Sequence, residues 1–366
     1  ACCLRRLKRI CRNYGSAPQF ICCSATIANP LELAQSLTGE SLRLIDNDGA
    51  PKGEKYFVFW NPSLLDDETA QRKSSNIEAG RIMVELLRQG NATIAFTRAR
   101  VVTELLYRFV QDELRKIRPS LAEKISPYRG RYLPAERREI EQKLFSGELI
   151  GVTSTNALEL GIDVGSLEAS ILVGFPGTIA STWQQAGRAG RGSEASLAFL
   201  VAHQSPIDQF LMQHPAYFFA RTPERAVLDP ANPHILLGQL RAAVYELPLT
   251  VEEVKEFGEF APAVMQLLVE DRQVYFYQNR WYWCGRGYPA SEVSLRNISE
   301  NTFTILEREG DRVKTIGTMD ELSAYQQVYP QAVYLHEGET FFVEEMDMDK
   351  RVVYVKKMAL DYYTQS

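Results

Sequence analysis

The stretch TIAFTRARVVTELLYRFVQDEL, residues 93–114, decides the fold. Thr93 to Phe96 form a short apolar run without polar alternation, the pattern of a strand covered on both faces. Beyond the break at Thr97–Ala99, Val102, Leu105, Leu106 and Phe109 recur at helical spacing. The unit then repeats. LPAERREIEQKLFSG reads as a helix with Pro134 in its first turn and Gly147 past its end. LIGVTS, ASILVGF and SLAFLVA are further apolar runs, each separated from the next by a helix or long turn. From about residue 56 to 205 this alternation predicts an α/β domain with a parallel sheet covered on both faces.

The flanks have a different texture. ACCLRRLKRICRNYG reads as an amphipathic helix ending at Gly15, followed by a strand in QFICCSAT. Residues 1–50 therefore look like the tail end of an earlier α/β domain, and the chain like a piece of a longer one. After Pro230, HILLGQLRAAVYE, TVEEVKEFG and PAVMQLLVED are three helices. QVYFYQNRWYWCG then alternates aromatics around a turn at Gln278–Arg280, which together with the helices suggests a winged helix. Beyond Val293, short strands rich in Val, Phe and Tyr predict a small antiparallel β domain. The expected domains are 1–50, 51–228, 229–292 and 293–366.

Composition narrows the function classes. The 366 residues are 45% hydrophobic and 24% charged, and the net charge of −5 excludes a uniformly basic nucleic-acid binder, so any anion-binding surface must be local. No run of about 18 apolar residues predicts a membrane span. The six cysteines form no C-x-x-C pair, which argues against a zinc site or a disulfide framework. Five lie in the first 23 residues and read as small buried hydrophobes of a reduced, intracellular protein. The four histidines are scattered, so no metal site is expected within the chain.

STWQQAGRAGR, Ser181 to Arg191, carries the most chemistry. If the helix continues, Arg188 and Arg191, three apart, share one face. Gly187 and Gly190 cost helix stability, a cost that makes sense where a backbone or ligand comes close. Two guanidinium forks suit a polyphosphate. Yet the phosphate loop G-x-x-x-x-G-K-S/T is absent, and Gly-Lys never occurs in the sequence. Two other segments, CSATIANP and TSTNALELGIDVG, fall where a strand ends or a helix begins, where open α/β sheets meet ligands.

These three segments resemble the third, fifth and sixth signature motifs of superfamily 2 helicases, and AFTRAR sits where the fourth would. RRLKRICRNYGSAPQFICCSATIANP, YRGRYLPAERREIEQKLFSGE and TMDELSAYQQVYPQAVYLHEGETFFVEEMD narrow the likeness to the YprA/MrfA group of DNA-repair helicases, over nearly the whole chain. The resemblance implies two RecA-like domains with ATP and Mg²⁺ between them. The phosphate loop and the acidic box belong to the first domain, expected to precede Ala1, and zinc to a C-terminal module expected after Ser366. It implies DNA, single strand or fork, as partner, with a DNA-repair nuclease as a further expectation, no membrane, and a cytoplasmic location. The alternatives are an RNA helicase and a catalytically inactive nucleic-acid-binding module.

The resemblance also assigns residues. Arg188 and Arg191 would stabilise charge on the γ-phosphoryl group, the alternative being two solvated arginines. Gln184 would approach the nucleotide or the attacking water, or close the helix start in a capping box with Ser181. Gly161 and Asp163 would face the same cleft, with Asp163 otherwise a turn former. Thr155 and Asn156 offer a phosphate seat near a helix start, or ordinary N-caps. Thr97 and Arg98 would contact the DNA backbone. Ser24 and Thr26 would couple the two sites, or form only a structural turn. Arg5, Arg6, Lys8 and Arg9 read as a solvated helix face, with nucleic-acid contact as the alternative. Tyr275, Phe276, Tyr277 and Trp281 would form the wing, packed on its neighbours or stacking on bases.

Overall fold

A computed structural model describes the chain except residues 48, 51–52, 67–70, 129–133, 161–164, 166, 191, 294–300, 310–311, 337–338, 359–361, 363 and 365–366, and the side chains of 100, 134–135, 292, 312, 335–336 and 339. It forms two compact units. One comprises Cys22–Leu31 and Arg43–Ala226; the other comprises Ala1–Ile21, Glu32–Leu42 and Val227–Ser366. Among the described residues no helix is long and apolar enough to cross a membrane.

The first unit is the expected parallel sheet. Its strands are β1 (Lys55–Trp60), a small ribbon of β2 (Leu64–Asp66) and β3 (Gln71–Arg72), then β4 (Thr93–Phe96), β5 (Ile125–Tyr128), β6 (Gly151–Ser154), β7 (Ala169–Val173) and β8 (Ser196–Val201). The main sheet has the order β1-β8-β7-β4-β6-β5, and every pairing is parallel. β4 shows why its run is unbroken. Ile94 and Phe96 enter one core with Tyr128, Val152 and Leu158, while Ala95 enters the opposite one with Met83, Leu87 and Val110. Each large side chain buried this way is worth roughly 1.5–3 kcal/mol.

The helix Arg100–Ile117 forms, with Leu106 buried and Phe109 packed against the same core as expected, but with its stripe turned away from Leu105. Its buried stripe is Thr103, Leu106, Val110 and Leu114, while Leu105 is 59% exposed. Adjacent apolar pairs (Val101–Val102, Leu105–Leu106, Phe109–Val110) leave two phases open to the periodicity, and packing on the sheet selects one. The strand expected in QFICCSAT does not form. Ile21, Cys22 and Cys23 are exposed, and no described strand offers that segment a ladder. An apolar run becomes a strand only where a neighbour accepts its hydrogen bonds. Burial holds for Cys2 alone, since Cys3 and Cys11 are half-buried and Cys22, Cys23 and Cys284 exposed.

The second unit contains the winged helix: helices Pro233–Glu246, Val251–Lys255 and Ala261–Glu270, then the hairpin Val274–Tyr277/Arg280–Trp283. Gln278 and Asn279 take the two positive φ values, 45° and 63°, that such a turn demands. Thr250 and Glu253 close a capping box. The N-terminal helix Cys2–Asn13 packs here, with Cys2 in the same core as Leu240, Val244 and Met265.

Its arginines correct the solvated-face reading. Arg9 is 3% exposed and donates to Ala243 O (3.0 Å), Leu247 O (3.1 Å), Pro248 O (3.2 Å) and Glu253 Oε1 (3.0 Å). Those carbonyls cluster at the C-terminal end of helix Pro233–Glu246, which the guanidinium closes and where a cation is favoured. Arg6 pairs with Glu246, Arg5 donates to Phe257 O at 2.7 Å, and Lys8 pairs with Glu40.

The β domain is a five-stranded sheet in the order Arg312–Asp320, Thr302–Glu309, Val352–Lys357, Glu339–Asp347, Val333–His336. It is antiparallel as expected except for one pair, Thr302–Glu309 with Val352–Lys357, which runs parallel.

Candidate functional site

At the C-terminal edge of the sheet, the loops after β4, β6 and β7 meet around a cavity of about 340 Å³ lined by Thr97, Arg98, Asn156, Glu159, Ser181 and Gln185 among others. Thr97 is 5% exposed, its hydroxyl 2.6 Å from that of Thr103, and its amide donates to Ser154 O at 2.9 Å. It therefore ties the loop to β6 and turns its hydroxyl inward. Arg98 is half exposed; its Nη2 donates to Phe175 O and lies 3.5 Å from Asp208 Oδ1. Thr155 stands at the N-cap position of the short 3₁₀ helix Asn156–Leu158, yet its side chain makes no capping bond. Asn156 is exposed at the cavity.

The helix Ile179–Ala186 borders the same edge. Thr178 caps it by accepting from the Ser181 amide at 3.0 Å, and the Glu224 carboxylate takes the amides of Ile179 (2.7 Å) and Ala180 (2.9 Å). Burial works against the charge on Glu224, but those two amides outweigh it and hold the carboxyl below its usual range. Ser181 lies inside the helix, so the capping box with Gln184 does not form. Gln184 instead donates to the hydroxyl of Thr26, which joins two sequence-predicted residues 158 positions apart. Asn29 fixes the same segment by exchanging two hydrogen bonds with the Ala226 backbone, at 3.1 and 2.9 Å. Ser24 is exposed.

The helix stops at Ala186, with Gly187 as its C-cap, so Arg188 sits in the following turn and the shared helical face does not exist. Arg188 is 8% exposed and donates to the Glu159 carbonyl, while the Glu159 carboxylate accepts from Gln185 Nε2 at 2.9 Å. Gly190 has φ +72°, and a Cβ there would lie 2.2 Å from Ser196 Oγ. That glycine answers to β8. Lys55, on β1, donates to Ala186 O (3.1 Å), Ala189 O (2.6 Å) and Ser196 Oγ (3.1 Å), and burial lowers its pKa. The turn carrying Arg188 is thus strapped to the sheet from one side, and from the other by the Gly190 amide on Leu167 O at 2.9 Å. Arg191, Gly161 and Asp163 lie outside the described residues. Among the described residues, no group of three His, Cys, Asp or Glu could hold a metal.

Reasoning from sequence missed Glu159, Gln185, Asp208 and Lys55. Two had a signal: Glu159 sits inside NALEL, and Ser205-Pro206 with Asp208 three residues after the serine is a helix-start signature. Lys55 had none.

A parallel sheet with these loops, followed by a winged helix, defines a helicase C-terminal domain with its accessory module. Residues 78–193 match the helicase conserved C-terminal domain, and residues 228–298 match the winged helix domain of the ATP-dependent helicase HRQ1. The chain is a homologue of the YprA/MrfA-type ATP-dependent helicases. It is 44% identical to the ATP-dependent helicase YprA of Bacillus subtilis over 365 residues, 99% of this chain and 48% of that protein. It is 34% identical to hrq1 of Schizosaccharomyces pombe over 367 residues, 99% of this chain and 34% of that one. A crystal structure of the DUF1998 helicase MrfA bound to DNA superposes with a TM-score of 0.82 at 43% identity, over 100% of this chain and 48% of MrfA. A second, with DNA and AMPPNP, gives 0.82 at 44%, over 100% and 50%. The chain spans about half the length, or less, of these relatives.

Proposed function

We propose that the protein is an ATP-dependent DNA helicase in which residues 51–228 form the second RecA-like domain, 229–292 the winged helix and 293–366 the β domain, with residues 1–50 the tail of the first RecA-like domain. The observation that carries this reading is the convergence of residues 96–98, 154–159 and 181–188 on one edge of one parallel sheet. The DNA and AMPPNP in the MrfA structures support nucleic acid and nucleotide as the two ligands.

This sequence has no phosphate loop; that loop, and most of the hold on Mg²⁺, would belong to the first RecA-like domain. Hydrolysis of bound ATP would supply the free energy, with Mg²⁺ neutralising charge on the phosphates. Arg188 and Arg191 place cations toward the γ-phosphoryl group, and Arg188, pinned by the Glu159 carbonyl, is pre-organised for it. Gln184 would orient nucleotide or water, and Gly161 and Asp163 would serve the same ligand. Arg98, Thr155 and Asn156 receive the DNA backbone, with Thr97 fixing their loop. Ser24 and Thr26 couple the sites, and the Gln184–Thr26 hydrogen bond supports that role. Any zinc would belong to a C-terminal module outside these residues. The setting is cytoplasmic DNA repair, with a repair nuclease as a partner.

The test uses the full-length protein. Arg191→Ala should lower ATP turnover by ~10³-fold or more while sparing DNA affinity. Arg191→Lys should rescue little, because a point charge does not replace the planar fork. Strand displacement should proceed on DNA. Loss of DNA binding with ATPase intact in Arg191→Ala, or unwinding of RNA alone, would overturn the reading.

A further inference from the structure

Asp208 is a fully buried carboxylate, its side chain 1% exposed. Such a charge persists in a protein interior only when its oxygens are matched. Oδ2 accepts from the amides of His203 (2.8 Å) and Phe175 (3.2 Å), and Oδ1 accepts from the Ser205 hydroxyl (2.7 Å). Three fixed donors from the loops after β7 and β8 therefore set where the carboxylate lies. Packing leaves it no slack: Gly174 has φ +80°, and a Cβ there would meet the His203 ring at 2.3 Å and Asp208 Oδ2 at 3.3 Å. Burial holds the His203 imidazole below its usual range against the pull of Asp208.

The remaining partner is Arg98, 3.5 Å from Oδ1 and half exposed. Its Nη2 is shared between Asp208 and the Phe175 carbonyl, while its Nε and Nη1 have no acceptor among the described residues. Arg98 also lines the cavity, together with Asn156. A planar cation held along one side with donors left over is pre-organised for an anion, because little side-chain freedom remains to be lost on contact.

We propose that Asp208 is a positioning residue for Arg98: its anchored carboxylate holds the guanidinium at the cavity mouth in the orientation that contacts a nucleic-acid phosphate. The inference rests on reading this sheet edge as the DNA-binding one. In a protein without that anchor, Arg98 keeps its charge but loses its direction.

The experiment measures binding of the full-length protein to fluorescein-labelled single-stranded DNA across a salt series, together with DNA-stimulated ATP turnover. Arg98→Ala should weaken binding roughly tenfold, as for one charge-assisted contact, and lower the log–log salt slope by about 0.7. Asp208→Asn retains an acceptor for the two amides and should weaken binding by a smaller factor, with the slope nearly unchanged because the Arg98 charge stays near the DNA. The double variant should bind no more weakly than Arg98→Ala alone. In Asp208→Asn and Ser205→Ala the DNA concentration for half-maximal ATPase should rise by a larger factor than turnover at saturating DNA falls, a split that general unfolding does not produce. Ser205→Ala, which removes one anchor and no charge, should give a smaller loss in the same direction, and it carries the test if Asp208→Asn does not fold. Losses that multiply in the double variant, or wild-type affinity in Asp208→Asn and Ser205→Ala, overturn the proposal. If Arg98→Ala itself binds DNA normally, the DNA reading of this edge fails first.

Discussion

Replacing Arg9 by Met keeps the aliphatic stem and removes the guanidinium that closes the helix Pro233–Glu246. The cost follows from what each acceptor has left. Ala243 O retains the Leu247 amide at 3.2 Å, and Glu253 retains the Thr250 amide at 2.9 Å. Leu247 O and Pro248 O lose their guanidinium donor. An unsatisfied buried acceptor costs about 1–3 kcal/mol, so the loss should come to about 3 kcal/mol. That is the low end for breaking a buried pair, because Glu253 is 26% exposed and stays partly hydrated. For a unit of this size, it lowers Tm by roughly 6–12 °C. Arg9→Lys, with fewer donors, should fall between. Arg12→Ala, at a pair exposed 48% and 43%, should cost no more than a few tenths of a kcal/mol. Urea unfolding followed by tryptophan fluorescence reads the effect, because Trp281 and Trp283 pack against the same core. A loss below about 1 kcal/mol in Arg9→Met would refute the account of how the N-terminal helix is held.

Lys55→Met takes the ammonium from Ala186 O and Ala189 O. It should cost about 1–2 kcal/mol and slow ATP turnover of the full-length protein roughly tenfold at unchanged DNA affinity; unaltered turnover would separate Lys55 from the arginine turn. In the wing, Tyr275, Phe276 and Tyr277 are 49%, 48% and 58% exposed, so Phe276→Ala should reduce strand displacement per ATP, with about 1–3 kcal/mol at stake per stacked base. Equal displacement by the variant would retire the stacking role. Burial raises the Glu253 carboxyl, but the Thr250 amide and Arg9 outweigh it, so its pKa is lowered on folding. Its contribution is therefore present above the ordinary carboxylate pKa of about 4.3 and lost as pH falls through the lower folded value. Urea midpoints should drop less between about pH 5 and about pH 3 in Glu253→Gln than in the wild type, and parallel curves would contradict this.

The parallel sheet was legible because a strand covered on both faces, such as Thr93–Phe96, leaves an apolar run that composition cannot disguise. The winged helix was legible from its turn and its aromatic alternation. What failed depended on partners distant in sequence. Ser181 and Gln184 have the spacing of a capping box, but Thr178 three residues earlier captures the helix start and Thr26 captures the glutamine. The basic stripe of the N-terminal helix reads as solvated because nothing in its own sequence announces the carbonyls of another helix end. Arg188 and Arg191 fit a helical spacing that Gly187 interrupts. Asp208 was announced only as a helix-start residue, since its partners Phe175 and Arg98 lie far along the chain. Lys55 takes its role from a distant turn that a lone lysine does not mark.

The fit of Gly190 against Ser196 bears on how mutational data at this turn are to be interpreted. A scan scored on activity would rank positions 188, 190 and 191 together, as though all three touched the same ligand. Scored on cellular abundance, they should separate. A side chain at 190 collides with β8 and takes an unfavourable left-handed backbone, so it removes folded protein. Loss at 191 should remove chemistry and leave protein. Intolerance to substitution in a ligand-binding segment thus has two origins here, and Ser196→Gly, by clearing the space, should partly restore abundance to Gly190→Ala.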